Sequence, residues 1–185
     1  MAAASPRAGR RPAPLDQAGL ERLALRYVER FATSRARLLD YLARKLRERG
    51  WAGADAPDAV AIADRFVALG YIDDAAFGAA RARALTRRGL GARRVAQALG
   101  AAGLTAEVRA PLVSEAQAEA QALATALAFA KRRRFGPFGA QTLDPAARQR
   151  QFAAFLRAGH APDVVAKILK MNEDEVSNFL DVNYP

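Results

Sequence analysis

The sequence predicts an all-α fold built from repeated helical units, and three observations carry that expectation. First, alanine, the best helix former, supplies much of the apolar half of the composition, and no stretch sustains the alternation of a half-buried strand. Second, glycines stand at the ends of apolar stripes with helical spacing, where a left-handed cap is needed. Third, a short pattern recurs. Leu46 to Gly50-Trp51 returns as Leu99 to Gly103-Leu104, shifted by 53, and as Phe155 to Gly159-His160, a further 56 along. Each copy ends a basic helix at glycine plus a bulky residue, and a short helix follows, at residues 58–69, 105–113 and 161–169. Periods near fifty with three helices apiece indicate a short α-solenoid.

Taken in order, residues 1–14 are rich in proline, alanine and arginine without periodicity, and read as a disordered basic arm. A first helix from about Asp16 carries Leu20, Leu23, Tyr27 and Phe31 on one face. Thr33 or Ser34 caps a second, striped by Leu38, Leu42 and Leu46 and ended by Gly50-Trp51. After a loop with Asp55 and Pro57, a third helix carries Val60, Ala63, Phe66 and Val67 and stops at Gly70.

Residues 70–104 then form a helix-turn-helix block. Gly70 suits a left-handed cap, Asp73 an N-cap, and Asp74 the first turn, where the helix dipole favours an anion. Phe77, Ala80 and Ala84 share a face, Gly89 and Gly91 break the helix, and Val95, Leu99 and Ala102 stripe the next. A long helix over residues 116–134 precedes the third copy, and Asn172 can cap one more short helix in the tail. The implied organisation is an arm (1–14), repeats at 15–69, 70–113 and 114–170, and a tail (171–185).

Charge keeps step with this organisation. The net charge of +10 points to an anionic partner. Arginine supplies 25 of the 29 basic residues, a bias that a GC-rich genome explains, but genome composition does not explain the excess of base over acid. Residues 15–50, 81–104 and 131–160 carry +4, +6 and +6, whereas 51–80, 105–130 and 161–185 carry −4, −2 and −3. The basic helices thus fall early in each unit. Two clusters stand out: Arg81, Arg83, Arg87, Arg88, Arg93 and Arg94, with no acid among them, and Lys131, Arg132, Arg133 and Arg134 beside Phe135. They suit an electrostatic grip on phosphates or carboxylates, with an aromatic able to stack on a base. Base-specific readout has no support.

Catalysis finds no foothold. Asp73-Asp74 reads as a helix start, and His160, the sole histidine, follows a helix-ending glycine without a nucleophile motif. Gly89-Leu90-Gly91 and Gly136-Pro137-Phe138-Gly139 are too short for a phosphate loop and read as helix stops. With no cysteine, disulfides and thiolate metal sites are excluded, and the chain fits a reducing cytosol. No apolar run approaches a membrane span, and the N-terminus lacks a signal-peptide core. The expectation is a cytoplasmic, monomeric, non-enzymatic protein without metal or cofactor.

Gly70-Tyr71-Ile72-Asp73-Asp74, Phe77, Arg88-Gly89-Leu90-Gly91, Arg94-Val95, Leu99 and Gly103-Leu104, taken together, resemble the RecX family, bacterial regulators of the RecA recombinase. The resemblance extends less sharply over about residues 20–169. It departs at Gly78, where the family usually has alanine. It implies three tandem three-helix repeats in a curved rod that lies in the groove of the RecA–DNA filament. Such binding suppresses filament growth, ATP hydrolysis, strand exchange and coprotease activity. The two basic clusters would then meet RecA or single- and double-stranded DNA, while Tyr71, Phe77 and Leu99 would be core. The alternatives are a helix-turn-helix DNA-binding protein without a recombinase partner, and a scaffold with incidental basicity.

Overall fold

The computed structural model describes residues 13–139 and 144–183, so the expected arm, apart from its last two residues, lies outside the described residues. The chain divides into two compact units, one through Asp73 and one from Asp74 onward. Among the described residues there are ten α-helices and no strand, only an isolated bridge between Leu15 and Trp51.

The first unit holds α1 (Gln17–Arg30), α2 (Arg35–Arg49) and α3 (Ala59–Ala68). Each begins where a short polar side chain accepts an otherwise unpaired backbone N–H. Asp16 accepts from Gly19 (2.7 Å), Ser34 from Arg37 (3.3 Å) and Asp58 from Ala61 (2.8 Å). The core gathers Leu20, Ala24, Leu38, Leu42, Ile62 and Phe66. Leu15 joins it, pinned beside the end of α2 by bonds from its N–H to the Gly50 carbonyl (3.0 Å) and from the Ala52 N–H to its own carbonyl (2.8 Å).

Some side chains expected on the buried stripes lie outside them. Phe31 falls just past the end of α1 and is half exposed. On α3 the core takes Ile62, Ala63 and Phe66, which leaves Val60 and Val67 exposed on its flanks. Tyr71 is not core: it is 55% exposed, its ring edge-on to Phe66, and Ile72 fills the buried place instead. The cause is the left-handed Gly70 (φ 75°), after which the N–H groups of Tyr71 and Ile72 both point back to the Phe66 carbonyl.

The second unit has two cores. α4 (Asp74–Arg87), α5 (Ala92–Gly100) and α6 (Ala106–Gln117) close over Ala82, Val95, Leu99, Ala102, Leu104 and Ala116. Leu99 is fully buried as expected, and Phe77 packs against this core while only half-buried. Ala80 is exposed, and the buried line of α4 runs through Gly78 and Ala82. The other core draws Leu123, Leu127 and Phe129 from α7 (Glu119–Arg133) and Phe155 from α8 (Pro145–Ala158). Val165 and Ile168 join it from α9 (Pro162–Ile168), and Val176 from α10 (Glu173–Asn183).

The single helix expected over residues 116–134 is instead broken at Ala118 (φ −51°, ψ 136°). Ala116 belongs to the first core and Leu123 to the second, and the break lets the chain serve both. At the start of α10, Asn172 and Glu175 form a capping box: the Asn172 side chain accepts from the Glu175 N–H (2.8 Å), and the Glu175 carboxylate from the Asn172 N–H (2.9 Å).

Candidate anion-binding site

The glycines of the recurring pattern all hold positive φ: Gly50, Gly103 and Gly159 have φ of 80°, 71° and 93°, although ψ is 175° at Gly50 and 15° at Gly159. Positive φ costs a residue with a β-carbon about 1–3 kcal/mol. In the second unit such a turn also builds an interface. The Gly89-Leu90-Gly91 turn leaves α4 and lies backbone-to-backbone on the Gly159-His160 turn that leaves α8. The Gly91 N–H donates to the Ala158 carbonyl (3.0 Å), and the Arg93 N–H to that of Gly159 (3.2 Å). A β-carbon on Gly91 would overlap the Gly159 carbonyl, and one on Gly159 would stand 2.6 Å from the Arg94 nitrogen. On Gly89 it would meet the Phe129 backbone at 2.8 Å.

His160 latches the two turns together. It is buried between Phe129 and Phe155, and its Nε2 lies 3.1 Å from the Gly89 carbonyl. A carbonyl only accepts, so Nε2 carries the proton. Burial lowers its pKa below the ordinary histidine range, partly offset by that hydrogen bond. Its role is structural.

This docking draws arginines from three helices together. Arg94 from the first turn of α5, Arg133 from the last turn of α7, and Arg150 and Arg157 from α8 line a cavity of about 630 Å³. Its lining contains no acid, and Leu90, Phe129 and Phe135 form its apolar part. Among the described residues none of these four arginines is in an ion pair. The Arg133 guanidinium lies 5.9 Å from the Phe129 ring centroid, within cation–π range.

The two expected basic clusters are therefore split by the structure. Arg94 and Arg133 enter the cavity. Arg93 lines a different groove of about 940 Å³ that also holds Glu119, Asp163 and Lys167, and its guanidinium donates to the Leu156 carbonyl (2.5 Å). Arg132 donates to the Arg87 carbonyl (3.0 Å), tying the end of α7 to the end of α4. Arg83, Arg87, Arg88 and Lys131 are exposed. Arg134 is exposed too and occupies the left-handed cap position of α7 (φ 54°), where glycine is the usual residue. Arg81 is half-buried, with an enclosed Nε that has no hydrogen-bond partner among the described residues.

Arg150 and Arg157 were not singled out from the sequence. Their signal was available, since seven residues is two helical turns and places both on one face of α8. Of the motif residues, Gly70, Gly89 and Gly103 hold positive φ, Gly91 provides the close approach, and Asp74 opens α4 right after Asp73.

No family model matches the sequence. The regulatory protein RecX of Myxococcus xanthus (strain DK1622) is 31% identical over 172 residues, 90% of this chain and 92% of that protein. The chain belongs to the RecX family. Regulatory protein RecX of Agrobacterium fabrum (strain C58 / ATCC 33970) is 28% identical over 147 residues, 77% of each chain. RecX crystal structures share the fold. RecX from Lactobacillus salivarius gives a TM-score of 0.59 at 16% identity, covering 83% of this chain and 94% of that one. A second structure of regulatory protein RecX gives 0.58 at 19% identity, covering 83% and 71%. Belonging to RecX accords with an all-helical chain whose motif glycines serve as helix stops and a turn-to-turn contact.

Proposed function

We propose that this RecX-family protein is a negative regulator of the RecA recombinase. It binds in the groove of the RecA–DNA filament through its basic helices, and it blocks filament growth, ATP hydrolysis, strand exchange and coprotease activity. The observation that carries the reading is the arginine-lined cavity at the docked turns, a concentration of unpaired positive charge without a single acid in its lining. The charge periodicity and the three separate apolar cores support a chain of three small helical units at 15–69, 70–113 and 114–170, each offering basic residues to one long anionic partner. Contact with phosphates is electrostatic and non-specific: six to ten neutralised phosphates would lower affinity about 10³- to 10⁵-fold between 50 and 200 mM salt.

The test is RecA ATP hydrolysis on single-stranded DNA, with this protein titrated from well below to above one per RecA. Inhibition below stoichiometry is expected. No inhibition alongside tight binding to bare duplex would replace this reading with a helix-turn-helix DNA-binding protein that needs no recombinase. Charge reversal at Arg87 and Arg88, both exposed, is expected to weaken inhibition without altering helical circular dichroism.

A further inference from the structure

A surface that only tracks a nucleic-acid backbone needs no depth and no apolar floor. The cavity at the docked turns, though open, has an apolar part in Leu90, Phe129 and Phe135. Its volume of about 630 Å³ lies within the usual range for small-ligand sites. Charge and apolar surface also share the space: guanidinia of Arg94, Arg133, Arg150 and Arg157 line it together with Leu90, Phe129 and Phe135.

Guanidinium groups favour phosphate because their planar fork matches two of its oxygens, and flat aromatic or guanidinium surfaces favour a nucleobase face. A ligand that is anionic at one end and flat and aromatic at the other satisfies both halves of this lining. A duplex presents only its phosphates to such a concavity, since its bases are stacked inside. An unstacked nucleotide presents both parts.

We propose that this cavity is a binding site for a single unstacked nucleotide, its phosphate on the four guanidinia and its base against the Leu90, Phe129 and Phe135 side. No glycine-rich phosphate loop is involved. The grip comes from side chains of α5, α7 and α8, brought together by the docking of the Gly91 and Gly159 turns. The site goes beyond the regulation of RecA and does not depend on it, because the ligand chemistry is present on this chain alone. The nucleotide has two sources, a residue of a single strand or a free mononucleotide, and both offer the same phosphate and base.

The experiment uses the full chain and fluorescence anisotropy with labelled oligo(dT), an abasic oligomer with the same number of phosphates, and a duplex of that length. Unlabelled dTMP serves as competitor. Oligo(dT) is expected to bind about tenfold more tightly than the abasic oligomer, since base stacking on an aromatic platform is worth that order. Arg150→Gln with Arg157→Gln is expected to remove most of that preference while leaving the melting temperature unchanged, both side chains being exposed. Phe135→Leu, which keeps an apolar contact but loses the ring, is expected to narrow the oligo(dT)-to-abasic gap without reducing binding to the abasic oligomer. Displacement by dTMP assigns a free nucleotide as a ligand, and its absence assigns a strand residue. Equal affinity for oligo(dT) and the abasic oligomer would overturn the proposal, as would a preference untouched by the arginine pair. Neither result touches the RecA assay, so the two readings fail separately.

Discussion

At Gly50 the chain leaves α2 through a glycine at positive φ with extended ψ (80°, 175°), and a β-carbon there would find nothing within 4 Å. At Gly159 it leaves α8 through a left-handed glycine (φ 93°, ψ 15°), and the Arg94 backbone stands in the place of the β-carbon. The bulky residues that follow differ in the same sense. Trp51 is half-buried and donates its indole N–H to the Asp55 carbonyl (2.6 Å), a local contact. His160 is buried and reaches Gly89, 71 residues away in sequence. One local signal, a glycine at positive φ, thus ends both helices, while the use made of the turn is decided by what docks on it. At Gly50 the glycine is needed only for its φ, and at Gly159 also for the space it leaves.

The sharpest way to break that comparison is a pair of alanines. Gly159→Ala incurs the left-handed penalty of about 1–2 kcal/mol and an overpacking cost of about 1–3 kcal/mol against backbone that has no rotamer to yield. Gly50→Ala meets no overpacking and incurs only the backbone cost of its nearly glycine-only region, about 1–3 kcal/mol. Urea unfolding should therefore show the larger loss at Gly159, where overpacking adds to the backbone cost. Equal losses would mean that the docked turns separate easily, and the arginine cavity they assemble would then lack a rigid frame.

A smaller effect tests the latch itself. With its pKa lowered by burial, native His160 stays neutral where the unfolded chain takes up a proton. The stability it supports is complete above the ordinary histidine value near pH 6.5, and it declines as pH falls from there through the lower folded-state value. The lowered carboxylates, Glu48, Asp64 and Glu107, act below their ordinary values of 4.5 and 3.8, outside the span from pH 7.5 to 5.5. The melting temperature should drop between pH 7.5 and 5.5, and His160→Gln should flatten the drop. A wild-type profile already flat over that span would remove His160 as a buried neutral latch.

How much of this was readable in the sequence follows from the range of each cause. A positive φ is a property of one residue, so Gly50, Gly70, Gly103 and Gly159 marked helix ends correctly. The side on which a helix is buried is a contrast between side chains, and alanine on every face erases the contrast. On α4, Ala82 is buried and Ala80 exposed, and nothing local separates them. The break at Ala118 was invisible for a related reason, since no glycine or proline stands there and the chain bends to serve two cores. Of the cavity, Arg94 and Arg133 lay in visible runs, whereas Arg150 and Arg157 stood singly. That the four converge depends on backbone contacts between turns some seventy residues apart, which no local spacing encodes.

The smallest effect concerns the other kind of glycine, one used neither for φ nor against backbone. Gly78 lies inside α4, where an alanine β-carbon would meet the Leu104 and Leu112 Cδ1 methyls, each at 2.9 Å. Both are ends of flexible side chains, so they can yield where the Arg94 backbone cannot. Replacing a helix-interior glycine with alanine gains about 1 kcal/mol of helix propensity, and shifting two methyls costs a comparable amount. Gly78→Ala should thus change stability by less than about 1 kcal/mol in either direction, consistent with the alanine that the family resemblance implies at this position. Pairing it with Leu112→Val tells propensity from crowding. If the methyl contact sets the balance, alanine at 78 will be more favourable beside valine than beside leucine, a non-additive pair. Strict additivity would mean that Leu112 does not hold α4 at its distance, and that the spacing between α4 and α6 is set elsewhere in their shared core.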